Sequence, residues 1–578
     1  MAVKHTLHLG PHAERVRAGL DRLAAERVLP RLWERDASLW SSDAAVQATI
    51  RNRLGWLRMP TVMATQAKML SAFAQEVRQA GYTHALLLGM GGSGLYPEVC
   101  RATFGVAPGG LDVALLDSTD PTAIRLAQAR CPLSRLLVIV SSKSGGTSET
   151  AALIRYFYDV LAAAGLDAGA QCVAITDEGT PLEIQAKRLR FRRVFTHGAV
   201  NGADVGGRFS AVVCFGLVPA AVLGVDLQQL LQSEQAMAAA CSAQTPPADN
   251  PAAQLGAVLG TLAQAGYDKL TLLASPALAS FGSWVEQLVA ESAGKLGKGI
   301  APIFGEPMRP LEAYGTDRMF LEMQLASKPD AELARHTQTL IDAGRPVIRV
   351  RWDDPYDLGG DIIKWSIATA LLGYFLDLNP FDEPNVQESK DSTHALLQRY
   401  AQEGRLPEDE PAVFADEQLA VFGAAAGQPA SLEECLRGII QRLQPRDYLT
   451  LLSFLSRTPQ LDGAIQQLRQ RLAQQTRHAT MLGFGPRYLH STGQLYKGGP
   501  DAGVFFLLTA DAAEDLPIPG EPFTFAVLKH AQALGDYQSM RTRGRRILRI
   551  HFKGKGAAGF DRFAQALEAA CTARAAAE

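Results

Sequence analysis

Residues 142–150 (SKSGGTSET) combine five hydroxyl side chains, a lysine and two glycines directly after an apolar run. The run at 136–140 (LLVIV) predicts a buried strand, and the spacing of apolar residues over 149–161 predicts a helix. Amides at a helix N-terminus favour negative charge, glycines let the backbone close around oxygens, and hydroxyls donate hydrogen bonds. This junction is therefore suited to a phosphate dianion.

The alternative for this segment is an ordinary helix cap, which needs only one hydroxyl. Because five hydroxyls exceed that need, the phosphate interpretation is preferred. The candidate phosphate ligands in the segment are Ser142, Lys143, Ser144, Thr147 and Thr150.

A second glycine-rich turn occurs at 89–94 (GMGGSG), after the apolar run 86–88. It matches the G-x-G-x-x-G pattern, and Asp117 stands where a ribose-binding acid would be expected, so a nicotinamide-dependent dehydrogenase is an alternative. A dinucleotide domain has no need for the hydroxyl-rich loop as well. Two such loops at neighbouring strand ends suit one phosphate, which adds Gly92 and Ser93 to the candidate ligands.

Composition limits the classes of protein to which the chain can belong. Its 578 residues are 47% hydrophobic and 20% charged, with a net charge of -2. These values predict a globular protein of two or three domains and argue against nucleic acid as the main partner. The basic run 541–555 is accordingly interpreted as a solvated helix end and strand edge.

Cysteine and hydropathy patterns predict a cytoplasmic protein. The seven cysteines form no CxxC pair, which favours a reduced protein without a zinc site. No secretory signal is seen at the N-terminus. The strongly apolar, uncharged run 209–225 is too short for a bilayer and contains Pro219, so it predicts a buried helix and no membrane segment.

Short apolar runs alternate with helical stretches over much of the chain. The predicted strands of the first block are 84–88, 113–116, 136–140, 172–175 and 193–195. A second block follows the proline-rich linker 242–251, with strands at 270–273, 318–323 and 347–350 and an apolar helix at 362–376. Alternating strands and helices predict parallel, doubly wound sheets.

The predicted organisation has four parts. They are an N-terminal helical arm (1–75), two α/β domains (76–245 and 252–402) and a C-terminal α/β region (430–578) with strands at 504–508 and 547–550.

Five motifs together resemble the ordered motifs of glucose-6-phosphate isomerases, which are built from two sugar-isomerase (SIS) domains. They are residues 91–93 (GGS), 142–150 (SKSGGTSET), 206–210 (GGRFS), 291–295 (ESAGK) and 381–390 (FDEPNVQESK). One motif alone would be a weak signal, but five in the same order are strong. The chain is most similar to the isomerase half of the bifunctional transaldolase/phosphoglucose isomerases, without a transaldolase half.

The resemblance implies a role for three single residues. Glu291 matches the general base that moves a proton between C1 and C2 through a cis-enediol. Arg208 matches the arginine that stabilises the enediolate oxygen, and Lys390 matches the lysine that helps to open the sugar ring. The resemblance implies no metal and no redox cofactor.

The ring-opening histidine departs from the family order. Residues 305–307 (GEP) are present, but 315–320 (GTDRMF) contains no histidine. The segment 489–499 (LHSTGQLYKGG) has the family's His-x-x-x-Gln spacing, so His490 is preferred for this role, and a neighbouring protomer could supply it. His394, one helical turn after Lys390, is the alternative. Glu383 replaces the glutamine that is more usual in its motif.

The expected activity is interconversion of glucose 6-phosphate and fructose 6-phosphate. The alternatives are a dual-specificity phosphoglucose/phosphomannose isomerase and a non-catalytic SIS-type sugar-phosphate sensor. The expected partner is a small sugar phosphate, with neither nucleic acid nor membrane. A homodimer and a functional link to transaldolase are also expected.

Overall fold

The computed structural model describes residues 4–196, 204–407, 410–423, 429–555 and 559–575. Within them the chain forms two compact units. The first unit comprises Met1–Asp117, Ala127–Gly305 and Arg318–Glu383, and the second comprises Ser118–Leu126, Glu306–Asp317 and Pro384–Glu578. Helices alternate with mainly parallel strands in both units, so the predicted α/β class is confirmed.

The N-terminal region contains one strand that the sequence pattern did not predict. Its elements are β1 (Lys4–His8), α1 (Ala13–Ala25), α2 (Val28–Trp33), α3 (Ala44–Arg53) and α4 (Met59–Gln79). Helices thus make up most of this region, as its apolar spacing predicts. Strand β1 is too short and too polar for its sequence to predict a strand, and it forms through pairing with a later strand of the same unit.

The first sheet is parallel and lies in the first unit. Its strands and the helices between them are β2 (His84–Gly89), α5 (Leu95–Phe104), β3 (Asp112–Leu116), α6 (Pro121–Gln128), β4 (Leu136–Ser141), α7 (Ser148–Ala163), β5 (Cys172–Ile175), α8 (Pro181–Arg188) and β6 (Arg193–Phe195). Of these, α6 belongs to the second unit up to Leu126. The strand order is β3-β2-β4-β5-β6. All six residues of β4 are buried, which explains why this strand reads as a continuous apolar run.

The second sheet belongs to the same unit. The elements between the two sheets and within the second are α9 (Cys214–Leu223), α10 (Leu227–Ala240), α11 (Pro251–Gln264), β7 (Lys269–Ala274), α12 (Phe281–Ala293), β8 (Ala301–Ile303), β9 (Arg318–Leu325), α13 (Ala331–Asp342), β10 (Val347–Trp352) and α14 (Asp357–Phe375). The strand order is β1-β10-β9-β7-β8, and only β1 is antiparallel to its neighbour.

Helices fill the space around the second sheet. Helix α14 packs on α10 and α11, and nearly all of its side chains are buried. The predicted linker 242–251 runs between α10 and α11. It ends where the Asn250 side chain accepts hydrogen bonds from the Ala252 and Ala253 amides, with Pro251 in the first turn of α11.

The second unit contains the third sheet. Its elements from residue 384 onward are α15 (Pro384–Glu403), β11 (Phe414–Ala415), β12 (Leu419–Gly423), α16 (Leu432–Ile440), β13 (Tyr448–Ser453), α17 (Pro459–Thr476), β14 (Ala479–Phe484), α18 (Gly493–Gly498), β15 (Gly503–Asp511), α19 (Phe525–Thr542), β16 (Arg546–Lys555) and α20 (Phe560–Ala575). The strand order is β11-β12-β16-β15-β13-β14.

Strand β16 corrects the interpretation of the basic run 541–555. This strand lies between β12 and β15, so it is an interior strand and not an edge. Arg543 pairs with Glu388, and the Arg549 guanidinium lies 3.8 Å from the centre of the Phe422 ring. The cations of this run are therefore largely engaged within the protein.

The predicted buried helix in the run 209–225 is confirmed, since every residue of α9 is buried. Among the described residues, no helix combines the length and the hydrophobicity that crossing a bilayer requires. The predicted four-part division into 1–75, 76–245, 252–402 and 430–578 stays a prediction.

Candidate functional site

The hydroxyl-rich loop and the glycine turn both lie at the carboxyl edge of the first sheet. Strands β2 and β4 are neighbours, with Gly89 opposite Ser141 in the last register pair. Strand β3 lies on the other side of β2, so the connections leave β2 and β4 in opposite directions. In open α/β sheets this reversal of strand order opens the crevice where ligands bind.

The hydroxyl loop has its own internal hydrogen bonds. Ser142 Oγ and Thr147 Oγ1 lie 3.0 Å apart, and Ser144 Oγ accepts from the Gly146 amide at 3.3 Å. Thr147 occupies the N-cap position of α7, yet its side chain makes no capping hydrogen bond there. The helix N-terminus thus lacks a side-chain cap, which argues against the ordinary-cap alternative for this segment.

Thr150 lies in the first turn of α7 and is 2% exposed. Its hydroxyl is buried and has no hydrogen-bond partner among the residues that the structure describes. An unsatisfied buried hydroxyl is costly, so a ligand oxygen at this junction would compensate for it.

Lys143 is held by two carboxylates. Its Nζ donates to Asp177 Oδ2 at 2.5 Å and to Asp204 Oδ2 at 2.6 Å. Asp177 follows β5, and Arg53 also lies 3.6 Å from Asp204. The charge of Lys143 is therefore already compensated, and its predicted role as a direct phosphate ligand stays a prediction.

The glycine turn touches the segment that carries Arg208. A Cβ on Gly92 would lie 2.1 Å from the carbonyl oxygen of Gly207, so only glycine fits at position 92. Ser93 is buried at the end of the same short 3-10 turn. This contact brings the predicted phosphate ligands Gly92 and Ser93 beside the turn that precedes Arg208.

Arg208 is buried, with 2% of its surface exposed. Its Nε donates to Ser292 Oγ at 2.7 Å, and its Nη2 donates to the carbonyl oxygens of Pro380 at 2.6 Å and Asp382 at 3.0 Å. A planar guanidinium with its donors fixed in this way is held in one orientation.

The Nη1 atom of Arg208 faces two carboxylates. Glu383 Oε2 lies at 3.0 Å and Glu291 Oε1 at 3.4 Å from this one nitrogen. Glu291 lies in the last turn of α12, is 8% exposed and also accepts from Gln287 Nε2 at 3.1 Å. The structure thus brings the predicted base and the predicted enediolate-stabilising arginine into contact.

Lys295 adds a second buried cation beside this group. Its Nζ donates to the carbonyl oxygen of Asn379 at 3.0 Å and to Asp382 Oδ1 at 2.7 Å. Burial, followed by the nearby charge of Arg208, lowers the pKa of the Lys295 ammonium to about 8. Sequence reasoning did not assign a role to Lys295, although it lies in the motif that carries Glu291.

Lys390 and the two candidate histidines belong to the second unit. Lys390 is exposed on α15, and His394 lies one turn later with its Nε2 2.8 Å from Gln398 Nε2. His490 is half-buried at the end of a 3-10 turn, Arg487–His490, that follows β14.

A buried aspartate connects the segments that carry Lys390 and His490. Asp536 on α19 is fully buried and accepts from Ser389 Oγ at 2.9 Å, Tyr488 OH at 2.6 Å and Lys497 Nζ at 2.6 Å. Ser389 precedes Lys390, and Tyr488 lies two residues before His490. Sequence reasoning missed Asp536, because a single aspartate in a helix carries no local signal of such a role.

Among the described residues, no cluster of three or more histidine, cysteine, aspartate or glutamate side chains is arranged to hold a metal ion. The expectation that the chain uses no metal and no redox cofactor stays a prediction.

Comparison with known proteins identifies relatives for most of the chain. The family model described as phosphoglucose isomerase matches residues 48–300. A glucose-6-phosphate isomerase of Rubrobacter xylanophilus is 29% identical over 66% of this chain and 96% of its own length. A probable glucose-6-phosphate isomerase of Natronomonas pharaonis is 30% identical over 54% of this chain and 78% of its own length.

Solved structures agree on the fold. A hypothetical protein of Thermus thermophilus superposes with a TM-score of 0.56 and 23% identity, covering 68% of this chain and 99% of its own. A glucose-6-phosphate isomerase of Chlamydia trachomatis gives 0.50 and 20% identity, covering 65% and 78%.

The family match contains Gly92, Arg208 and Glu291, whereas Lys390 and His490 lie beyond it. With a relative at 30% identity covered over more than two thirds of its length, the chain belongs to the phosphoglucose isomerase family.

Proposed function

We propose that the protein interconverts glucose 6-phosphate and fructose 6-phosphate. The observation that carries this proposal is the contact of the buried carboxylate of Glu291 with Arg208 Nη1, within the segment matched by the family model. A carboxylate can move a proton between adjacent carbons when it is positioned beside them and partly shielded from water.

The phosphate of the substrate binds at the carboxyl edge of the first sheet. The hydroxyls of Ser142, Ser144, Thr147 and Thr150, the backbone of Gly92 and Ser93, and the N-terminus of α7 supply the donors. Lys143, already paired with Asp177 and Asp204, adds little net charge and holds the loop in place. Binding energy from this remote group orients the reacting carbons.

Proton transfer uses Glu291 and Arg208. In the open-chain aldose, Glu291 accepts the proton from C2, and the electrons of that bond form the C1–C2 double bond of a cis-enediol. The carbonyl oxygen gains negative charge as this happens, and Arg208 stabilises it. Glu291 then returns its proton to C1, while the proton of the C2 hydroxyl passes to the C1 oxygen, so that C2 becomes the ketone.

Ring opening uses Lys390 and His490. The shared contacts of Asp536 with Ser389 and Tyr488 support this pairing, because they fix the two segments to one buried group. One side chain donates a proton to the ring oxygen while the other accepts the proton of the anomeric hydroxyl.

Two alternatives belong to the same site. A dual-specificity isomerase would also accept mannose 6-phosphate, because the choice between C2 epimers depends on a few pocket contacts. A non-catalytic sugar-phosphate sensor would keep the hydroxyl loop and would not need Glu291. The buried Glu291–Arg208 contact favours the enzyme.

The proposal includes a cytoplasmic location, a homodimer and a link to transaldolase. The seven cysteines all carry free thiols, and six of them are buried, which fits the reducing cytoplasm. A homodimer and a functional link to transaldolase follow from the resemblance stated above.

The test is a coupled assay with fructose 6-phosphate and mannose 6-phosphate as alternative substrates, on the native protein and on Glu291→Gln. Turnover of fructose 6-phosphate should fall at least about 10²-fold in the variant, because glutamine keeps the shape and loses the base. Affinity for a sugar-phosphate inhibitor should change little. Near-normal turnover in Glu291→Gln would overturn the proton-transfer assignment, and comparable native rates on both sugars would establish dual specificity.

A further inference from the structure

The base and a second carboxylate share one nitrogen of Arg208. Glu383 Oε2 lies closer to Nη1, at 3.0 Å, than Glu291 Oε1 does, at 3.4 Å. The remaining nitrogens of this guanidinium are already bonded to Ser292 Oγ and to the carbonyl oxygens of Pro380 and Asp382. Nη1 is thus the nitrogen at which the two carboxylates compete for the charge of Arg208.

We propose that Glu383 is a positioning residue that sets the basicity of Glu291 by taking the closer share of Arg208. This inference rests on the proposed role of Glu291 as the base. It assigns Glu383 a role in the proton-transfer step itself, as a group that acts through Glu291 without contacting the substrate.

The charge state of Glu383 supports this assignment. Burial alone would raise the pKa of its carboxyl, but the charge and the hydrogen bond of Arg208 outweigh burial and hold that pKa below its usual value. Glu383 therefore stays ionised at neutral pH. A permanent carboxylate beside Glu291 opposes ionisation of Glu291, as like charges do, and makes it a stronger base.

The other charged groups on elements near α12 include two that are already paired with a partner of opposite charge. Lys295 is paired with Asp382, and Asp361 is paired with Lys364 on α14, which packs on α12. Arg53 and Lys295 contribute weaker attractions to Glu383. Glu98 lies in the first turn of α5, another element that packs on α12.

The experiment compares the pH dependence of kcat/KM for native protein, Glu383→Gln and Glu383→Asp. Glutamine keeps the shape and removes the charge, so Arg208 then acts on Glu291 alone and the ionised base persists to lower pH. We expect the acid limb of the profile to move to lower pH by about 1 unit in Glu383→Gln. The plateau should fall, because a weaker base transfers the proton more slowly. Glu383→Asp keeps the charge and should leave the limb near its native position.

The matched control is Asp377→Asn, which removes one negative charge six residues upstream. Asp377 is exposed and has a φ of 51°, a conformation that asparagine tolerates. Its profile should follow that of the native protein. The substrate phosphate titrates identically with every variant, so differences between profiles report on the enzyme.

Two results would overturn the inference. One is an acid limb in Glu383→Gln that coincides with that of Asp377→Asn. The other is a uniform rise in KM at all pH values, which would make Glu383 a substrate contact. Failure of the proposed function looks different, because Glu291→Gln would then retain turnover whatever Glu383→Gln does.

Discussion

His490 is positioned by residues that precede it in the chain. Tyr488, two residues earlier, donates to the buried carboxylate of Asp536, and Leu489 is buried as well. The half-buried ring of His490 is therefore held on a fixed segment. His394 differs, because it is exposed on the surface of α15.

Replacing His490 with alanine should slow conversion of the cyclic sugar phosphate by about 10²-fold, because ring opening loses its proton donor or acceptor. A shorter aldose phosphate that stays open-chain should be much less affected, since Glu291 needs no histidine once the carbonyl is exposed. The measurement is the ratio of the two rates in His490→Ala, with His394→Ala as its matched control.

Equal impairment of both rates in His490→Ala would indicate a structural role for this residue. A normal His490→Ala together with a crippled His394→Ala would move ring opening to α15.

The candidate catalytic residues could be proposed from sequence because each lies within a motif of the resemblance, but their contacts could not. The five motifs led to Arg208 and Glu291, which the structure places 3.4 Å apart. The competition of Glu383 for Arg208 depends on two segments that are 175 residues apart. Local residue spacing does not show which segments so far apart in sequence come into contact, so this contact could not be inferred.

At the scale of elements, the turn at Gly92, at the edge of the first sheet, is in close contact with the turn at Gly207. Gly92 lies after β2, and its missing side chain lets the backbone at Gly207 approach. Gly207 itself has open space where its side chain would lie. A methyl group would therefore clash at Gly92 but would fit at Gly207.

Gly92→Ala should force the two turns apart and cost about 1–3 kcal/mol of stability, as overpacking does. Inhibition by inorganic phosphate should weaken at the same time, because Ser93 and the turn that contains Arg208 would shift. Thermal unfolding and the inhibition constant of phosphate measure the two effects. Gly207→Ala is the control and should unfold near the native temperature; a Gly92→Ala protein equal to it in both measurements would contradict the argument.

Strand predictions succeeded for several buried strands but missed others, since β13, whose six residues are all buried, was not predicted. Strand β5 was predicted with its observed bounds, Cys172–Ile175, and β4 was one residue longer than the predicted 136–140. The prediction missed strand β1, because its five residues, KHTLH, contain no apolar run and form a strand only by pairing with β10. Long-range pairing, and not local propensity, decides such a strand.

At the scale of the whole molecule, one buried aspartate joins three segments of the second unit. Asp536 accepts from three donors that come from α15, the turn before His490, and α18. Lys497, one of these donors, is 1% exposed. Its charge has Asp536 as the carboxylate partner.

Asp536→Asn should destabilise the protein by about 3–5 kcal/mol, because it leaves the buried ammonium of Lys497 without its counter-charge. The double variant Asp536→Asn with Lys497→Met should recover part of this loss, since the unpaired charge is gone. Unfolding in denaturant measures both. Asp462→Asn, which breaks the more exposed pair with Arg457, is the control and should cost no more than about 1 kcal/mol. Equal stability of Asp536→Asn and the control would contradict the claim that Lys497 needs Asp536 as its counter-charge.

The second unit is assembled from distant parts of the chain. Within it, Asp120 accepts from Lys529 at 2.7 Å, although 409 residues separate them. At a synthesis rate of about 5–20 residues per second, Asp120 leaves the ribosome roughly 20–80 s before its partner does. Asp120 also accepts from Ser456, which is made earlier, but its ion pair with Lys529 must wait until nearly the whole chain has been made. Any nascent chain that ends before α19 lacks this ion pair, so completion of these contacts of the second unit is tied to completion of translation.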